Sequence, residues 1–91
     1  MNKAPNHIEM EKLLLAAFAP IRLAVINDSA SHSGHSGDDG SGESHFTIEI
    51  ESAAFVGVSR VMRQRMVNKV LGDIAGKRVH ALAVKARAPG E

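Results

Sequence analysis

The feature that most constrains this chain is an unbroken polar segment from residue 29 to residue 44. It consists almost entirely of Ser, Gly, Asp and His and has almost no apolar content. It separates two short runs that read as strands. The first, Ile21 to Ile26, is Ile-Arg-Leu-Ala-Val-Ile, closed by Asn27 and Asp28. In the second, Phe46, Ile48 and Ile50 alternate with Thr47, Glu49 and Glu51. A period of two puts one row of side chains in a core and the other in water. Two strands on either side of one connection predict an antiparallel hairpin with the histidine-bearing segment at its tip. A connection this long in a small domain is a functional or mobile loop.

Helical periodicity flanks the hairpin. Met10, Leu13, Leu14, Ala17 and Phe18 make one apolar stripe, with Asn6 as the expected cap and Glu9 as its return partner. Pro20 ends that helix. Phe55-Val56-Gly57 reads as a turn, with Phe55 and Gly57 as structural residues. A second helix is expected from about Ser59 to Leu71, with Met62, Met66, Val67, Val70 and Leu71 on a broad apolar arc. Arg63 falls inside that arc. It either snorkels out along its methylenes or sits partly buried with a carboxylate partner, and the partner is the favoured expectation because an unpaired buried charge is costly. Gly72 and Gly76 bracket a connection to a third strand, Arg78 to Arg87, on which His80, Leu82 and Val84 share a face. The order α-β-β-α-β predicts an α/β (α+β) sandwich, with both helices on one face of a small three-stranded sheet. With 91 residues the chain is one domain, with an ordered core over about 6–88.

Composition removes several function classes. There is no Cys, so no disulfide, thiol nucleophile or thiolate site comes from this chain. No apolar run is long enough to span a bilayer, and no secretory signal pattern opens the sequence, so the expected compartment is the cytoplasm. No serine lies in a nucleophile elbow, no phosphate-binding P-loop is present, and the strand carboxylates Glu49 and Glu51 face outward. The expectation is a protein that is not an enzyme. Net charge is +1, yet residues 55–91 hold eight basic and two acidic side chains, whereas residues 1–54 hold three and eight. Arg60, Arg63, Arg65, Lys69, Lys77 and Arg78 are either a surface for an anionic partner or ordinary solvated positions.

Five histidines remain. His32 and His35 form His-Ser-Gly-His in the polar segment, a plausible but weak metal pair. His45 opens the second strand and reads as structural. His80 opens the third, and His7 lies at the expected surface of the first helix. The element order with a basic second helix also resembles the KH group of RNA-binding folds. There the phosphate clamp is Gly-x-x-Gly between helices. Here Gly37-Asp38-Asp39-Gly40 lies between strands and carries two acids.

Four stretches, taken in order, resemble the BolA family. Asn27-Asp28-Ser29-Ala30-Ser31-His32-Ser33-Gly34-His35 is similar to its segment after the first strand, and Glu43-Ser44-His45-Phe46 to its Glu-Thr/Ser-His-Phe. Phe55-x-Gly57 with Arg63-Gln64-Arg65-Met66-Val67 resembles Phe-x-Gly and Arg-His-Arg-x-Val, with Gln64 where the pattern has His. Val79-His80-Ala81-Leu82-Ala83 resembles its His-Ala-Leu segment. The resemblance implies a class II KH-like fold and partnership with a monothiol glutaredoxin. It implies a [2Fe-2S] cluster held only in that complex, with a Cys and a glutathione thiolate from the glutaredoxin side and none expected in the isolated chain. By position, the ligands from this chain are His80 and His32, with His35 in reserve. A second implied role is DNA binding in transcriptional control of stress response or morphology, through the basic second helix and third strand. Alone, the chain is expected to be a monomer or weak homodimer with no membrane partner.

Overall fold

The computed structural model describes residues 5–28, 45–79 and 81–91. Helix α1 runs Pro5–Phe18, strand β1 Arg22–Asn27, strand β2 His45–Glu51, helix α2 Arg60–Leu71 and strand β3 Ala81–Arg87. The sheet order is β1-β2-β3. β1 and β2 are antiparallel, with Asn27 opposite Phe46 and Arg22 opposite Glu51. β3 lies parallel to β2, with His45 opposite Ala81 and Glu51 opposite Arg87. A parallel pair needs a crossover, and α2 supplies it. The expected α-β-β-α-β order and antiparallel first pair are therefore present.

The period-two pattern of β2 decides which face is covered. Phe46, Ile48 and Ile50 are buried together with Val25 from β1, whereas Glu49 is exposed. β3 alternates in the same way, with Leu82, Val84 and Ala86 turned toward the core and Lys85 and Arg87 toward solvent. Both helices cover the apolar face. α1 brings Met10, Leu14 and Phe18, and α2 brings Val67 and Leu71. Phe18 and Phe55 stack at a centroid distance of 5.0 Å. The chain has no Trp or Tyr, so its three Phe, all buried, are the largest side chains filling the core.

Several local expectations change. α1 starts at Pro5, so Asn6 is a buried residue within the helix rather than its cap. Proline suits a first helical position because its missing N–H has no partner there anyway. The helix ends with Ala19 at φ 43°, its N–H bonding Leu15 C=O at 3.1 Å, in the left-handed conformation that glycine usually provides. Met62 is 46% exposed, because the buried stripe of α2 runs through Arg63, Val67 and Leu71 instead. The third strand starts at Ala81 rather than Arg78. Ile74–Arg78 form a π-helical turn, closed by Val79 N–H to Ile74 C=O at 3.2 Å, which buries Ile74. Lys77 and Arg78 thus belong to that turn.

One buried hydroxyl joins two segments. Ser52 Oγ donates to Phe18 C=O at 2.7 Å and accepts from Ala54 N–H at 3.1 Å. It satisfies a carbonyl at the end of α1 and caps the helical turn Ala53–Phe55. Gly57 follows at φ 75°, where the chain reverses into α2 and a side chain would be strained.

Candidate functional site

The connection over 29–44 leaves and rejoins the sheet at one place. Asp28 N–H donates to His45 C=O at 2.8 Å, so the two ends of the connection lie side by side. Thr47 Oγ1 donates to the Asp28 carboxylate and ties them again. His45 is opposite Ala81, the residue that follows position 80. The register of the sheet therefore brings both ends of the polar connection and the start of β3 to the same end of the fold. His32, His35 and His80 themselves lie outside the described residues. Among the described residues no group of three or more His, Cys, Asp or Glu is gathered to hold a metal.

The other two histidines are placed. His45 opens β2 and is half-buried. His7 is also half-buried rather than at the surface. Its ring meets Phe46 edge-on at 6.0 Å, and its Nε2 lies 3.3 Å from Glu11. The reason is tertiary: α1 crosses the sheet face, and its first turn reaches the start of β2.

The basic residues do not form one surface. Arg65 and Lys69 are exposed one turn apart on α2, and Arg60 is exposed at its start, well around the helix from them. Lys77 and Arg78 are exposed at the far end, where Arg78 Nη2 pairs with Glu9 of α1 at 3.1 Å. Arg63 leaves the set, since it is only 7% exposed. Its Nε donates to Val58 C=O at 2.7 Å and its Nη1 to Ala86 C=O at 3.1 Å. Nη1 and Nη2 also hold the Glu91 carboxylate at 2.6 and 2.7 Å. Glu91 is the carboxylate partner that the position of Arg63 required. The Arg63 guanidinium, with a further bond from Ala88 N–H, holds Glu91 well below the ordinary carboxylate range, at about 2.

Sequence reasoning missed a cleft of about 450 Å³ beside this pair, between α2 and β3. Arg60 and Gln64 line it from α2, Lys85 and Arg87 from β3, and Glu91 also borders it. The lone arginine on the apolar arc of α2 was the available signal. Its partner, distant in sequence, was not.

Comparisons with known proteins agree with this architecture. The family model described as BolA-like protein matches residues 14–91. An uncharacterized protein from the cobS 5′ region of a Sinorhizobium species is 52% identical over 83 residues, which are 90% of this chain and 89% of that protein. The DNA-binding transcriptional regulator BolA of Vibrio cholerae is 40% identical over 75 residues, 82% of this chain and 67% of that one. Among solved structures, the BolA domain of SufE1 from Arabidopsis thaliana superposes with a TM-score of 0.84 at 32% identity, covering 97% of this chain and 96% of that one. No described helix is long and apolar enough to cross a membrane. With the family model spanning most of its length and its fold shared with a solved BolA domain, the chain belongs to the BolA-like protein family.

Proposed function

We propose that the protein is a non-enzymatic cytoplasmic module that pairs with a monothiol glutaredoxin and shares a [2Fe-2S] cluster with it. His80 and one histidine of the 29–44 connection, His32 with His35 in reserve, are this chain's ligands. The observation that supports the reading is the convergence at one sheet end of Asp28, His45 and Ala81, which flank the connection and position 80. The donor chemistry fits. A chain without cysteine must take sulfur from its partner, and imidazole is a good ligand for iron, as in centres where two His bind one iron. Mixing the protein with a cluster-loaded monothiol glutaredoxin should change the visible absorption and circular dichroism spectra. Both His80→Ala and His32→Ala should remove that change. If both variants keep it, the ligand assignment fails; if only His35→Ala removes it among the loop variants, His35 replaces His32.

A second reading is DNA binding. It is favoured by the name of the Vibrio cholerae relative and by the exposure of Arg65 and Lys69 one turn apart on α2. It predicts retardation of duplex DNA at low salt, with the salt slope falling by about one for each phosphate-contacting residue removed. Absence of retardation at low salt removes this reading.

A further inference from the structure

β3 is an edge strand, and its outer side is chemically defined. Arg87 C=O accepts from Ser52 N–H at 3.0 Å, while Ala86 C=O accepts from Arg63 Nη1 at 3.1 Å in the opposite direction. Backbone groups alternate sides along a strand, so Val84, in step with Ala86, turns its N–H and C=O away from β2. Among the described residues β3 pairs with β2 alone. Arg63 and Glu91 occupy the Ala86 carbonyl and the Ala88 N–H, so the open part of this edge is Leu82 and Val84 with the Ala86 N–H, and it leads into the cleft of about 450 Å³ lined by Arg60, Gln64, Lys85 and Arg87.

The charges around the edge select what can lie there. Lys85 is 4.0 Å from Glu49, both well exposed, and Arg60 and Arg87 make no ion pair among the described residues. A second copy of β3 laid on this edge would bring Lys85 and Arg87 close to their own equivalents. Like charges on neighbouring strands are unfavourable, and such residues discourage self-pairing. An acidic strand meets the opposite condition. Glu91 neutralises the buried Arg63, so the positive charge left to attract an acidic segment comes from Arg60, Lys85 and Arg87 at the rim of the cleft.

We propose that this cleft is a docking site for an extended acidic segment of a partner protein, which adds as a fourth strand along β3. One row of its side chains faces Lys85 and Arg87, and the other faces Arg60 and Gln64. Main-chain bonds supply affinity and the basic residues supply selection, as in other cases of strand addition. The cleft lies toward the opposite end of β3 from position 80, so the proposal stands independently of the cluster reading.

The probe is a fluorescein-labelled octapeptide of alternating Glu and Val, titrated with the full chain and followed by fluorescence anisotropy. Saturable binding is expected, with the Val84 amide resonance shifting in a nitrogen–proton correlation spectrum. The peptide with Gln for every Glu should bind about tenfold more weakly. Combined Arg60→Gln, Lys85→Gln and Arg87→Gln should weaken binding about tenfold, the sum of three modest exposed charge contacts. A peptide methylated at every backbone nitrogen keeps its charge but cannot extend a sheet, and it too should fail. Equal binding of that methylated peptide overturns the proposal. So does binding of inorganic phosphate or duplex DNA in the cleft without binding of the acidic peptide.

Discussion

Replacing Ser52 by alanine tests how much of the fold depends on one buried hydroxyl. The side chain is 1% exposed, donates to the last carbonyl of α1 and caps the Ala53–Phe55 turn. Alanine fits the space but leaves Phe18 C=O without that donor, in a place where water has little access. An unsatisfied buried polar group costs about 1–3 kcal/mol, and loss of a cap typically costs about 1 kcal/mol. The two effects share one hydroxyl, so about 2 kcal/mol is the expected loss. Unfolding entropy near 2.1 cal/mol/K per residue then places the fall in Tm at about 10 °C for a chain of this length. The assay is far-ultraviolet circular dichroism during heating and urea titration, since the protein has no Trp or Tyr to report by fluorescence. Ser59→Ala is the control. Ser59 Oγ accepts from Met62 N–H at 3.2 Å in an exposed cap, where water can replace the hydroxyl. Its loss should be about half as large. If Ser52→Ala is no more damaging than Ser59→Ala, burial of this bond contributes nothing and the reasoning is refuted.

Other predictions follow from the same geometry. Ala19→Gly should stabilise the protein by about 1 kcal/mol, because φ 43° is strained for alanine and free for glycine; a Tm unchanged or lowered would contradict this. Ile48→Ala should cost about 2–5 kcal/mol in urea unfolding, since Ile48 is fully buried on the central strand. Glu91 titrates at about 2 in the fold against 4.5 ordinarily. Its contribution is therefore complete above about pH 4.5 and is lost as pH falls toward 2. Glu91→Gln should flatten that acid limb of the stability profile, and an unchanged limb would show that the pair does not act there.

Much of the architecture was legible locally. Alternation in Phe46-Thr47-Ile48-Glu49-Ile50 fixes a half-buried strand whatever its neighbours, because side chains alternate faces along any extended backbone. The α1 stripe of Met10, Leu14 and Phe18 is equally local. The absence of cysteine limits the chemistry without any fold at all. The anomaly at Arg63 was also visible, since a charge on an apolar helix arc demands a partner.

What tertiary structure alone decided is which distant groups meet. Nothing near Arg63 in sequence names Glu91 as its partner; the path of β3 past α2 does. The same path sets Arg60 of α2 across a cleft from Lys85 and Arg87 of β3, residues far apart in the sequence. Parallel pairing of β3 with β2 is likewise not written in either strand's alternation. It sets Ala81 beside His45, and so brings the start of β3 to the end of the sheet where the polar connection begins and ends. Periodicity is a property of neighbours along the chain, whereas register and ion-pair choice are settled by packing the whole core at once.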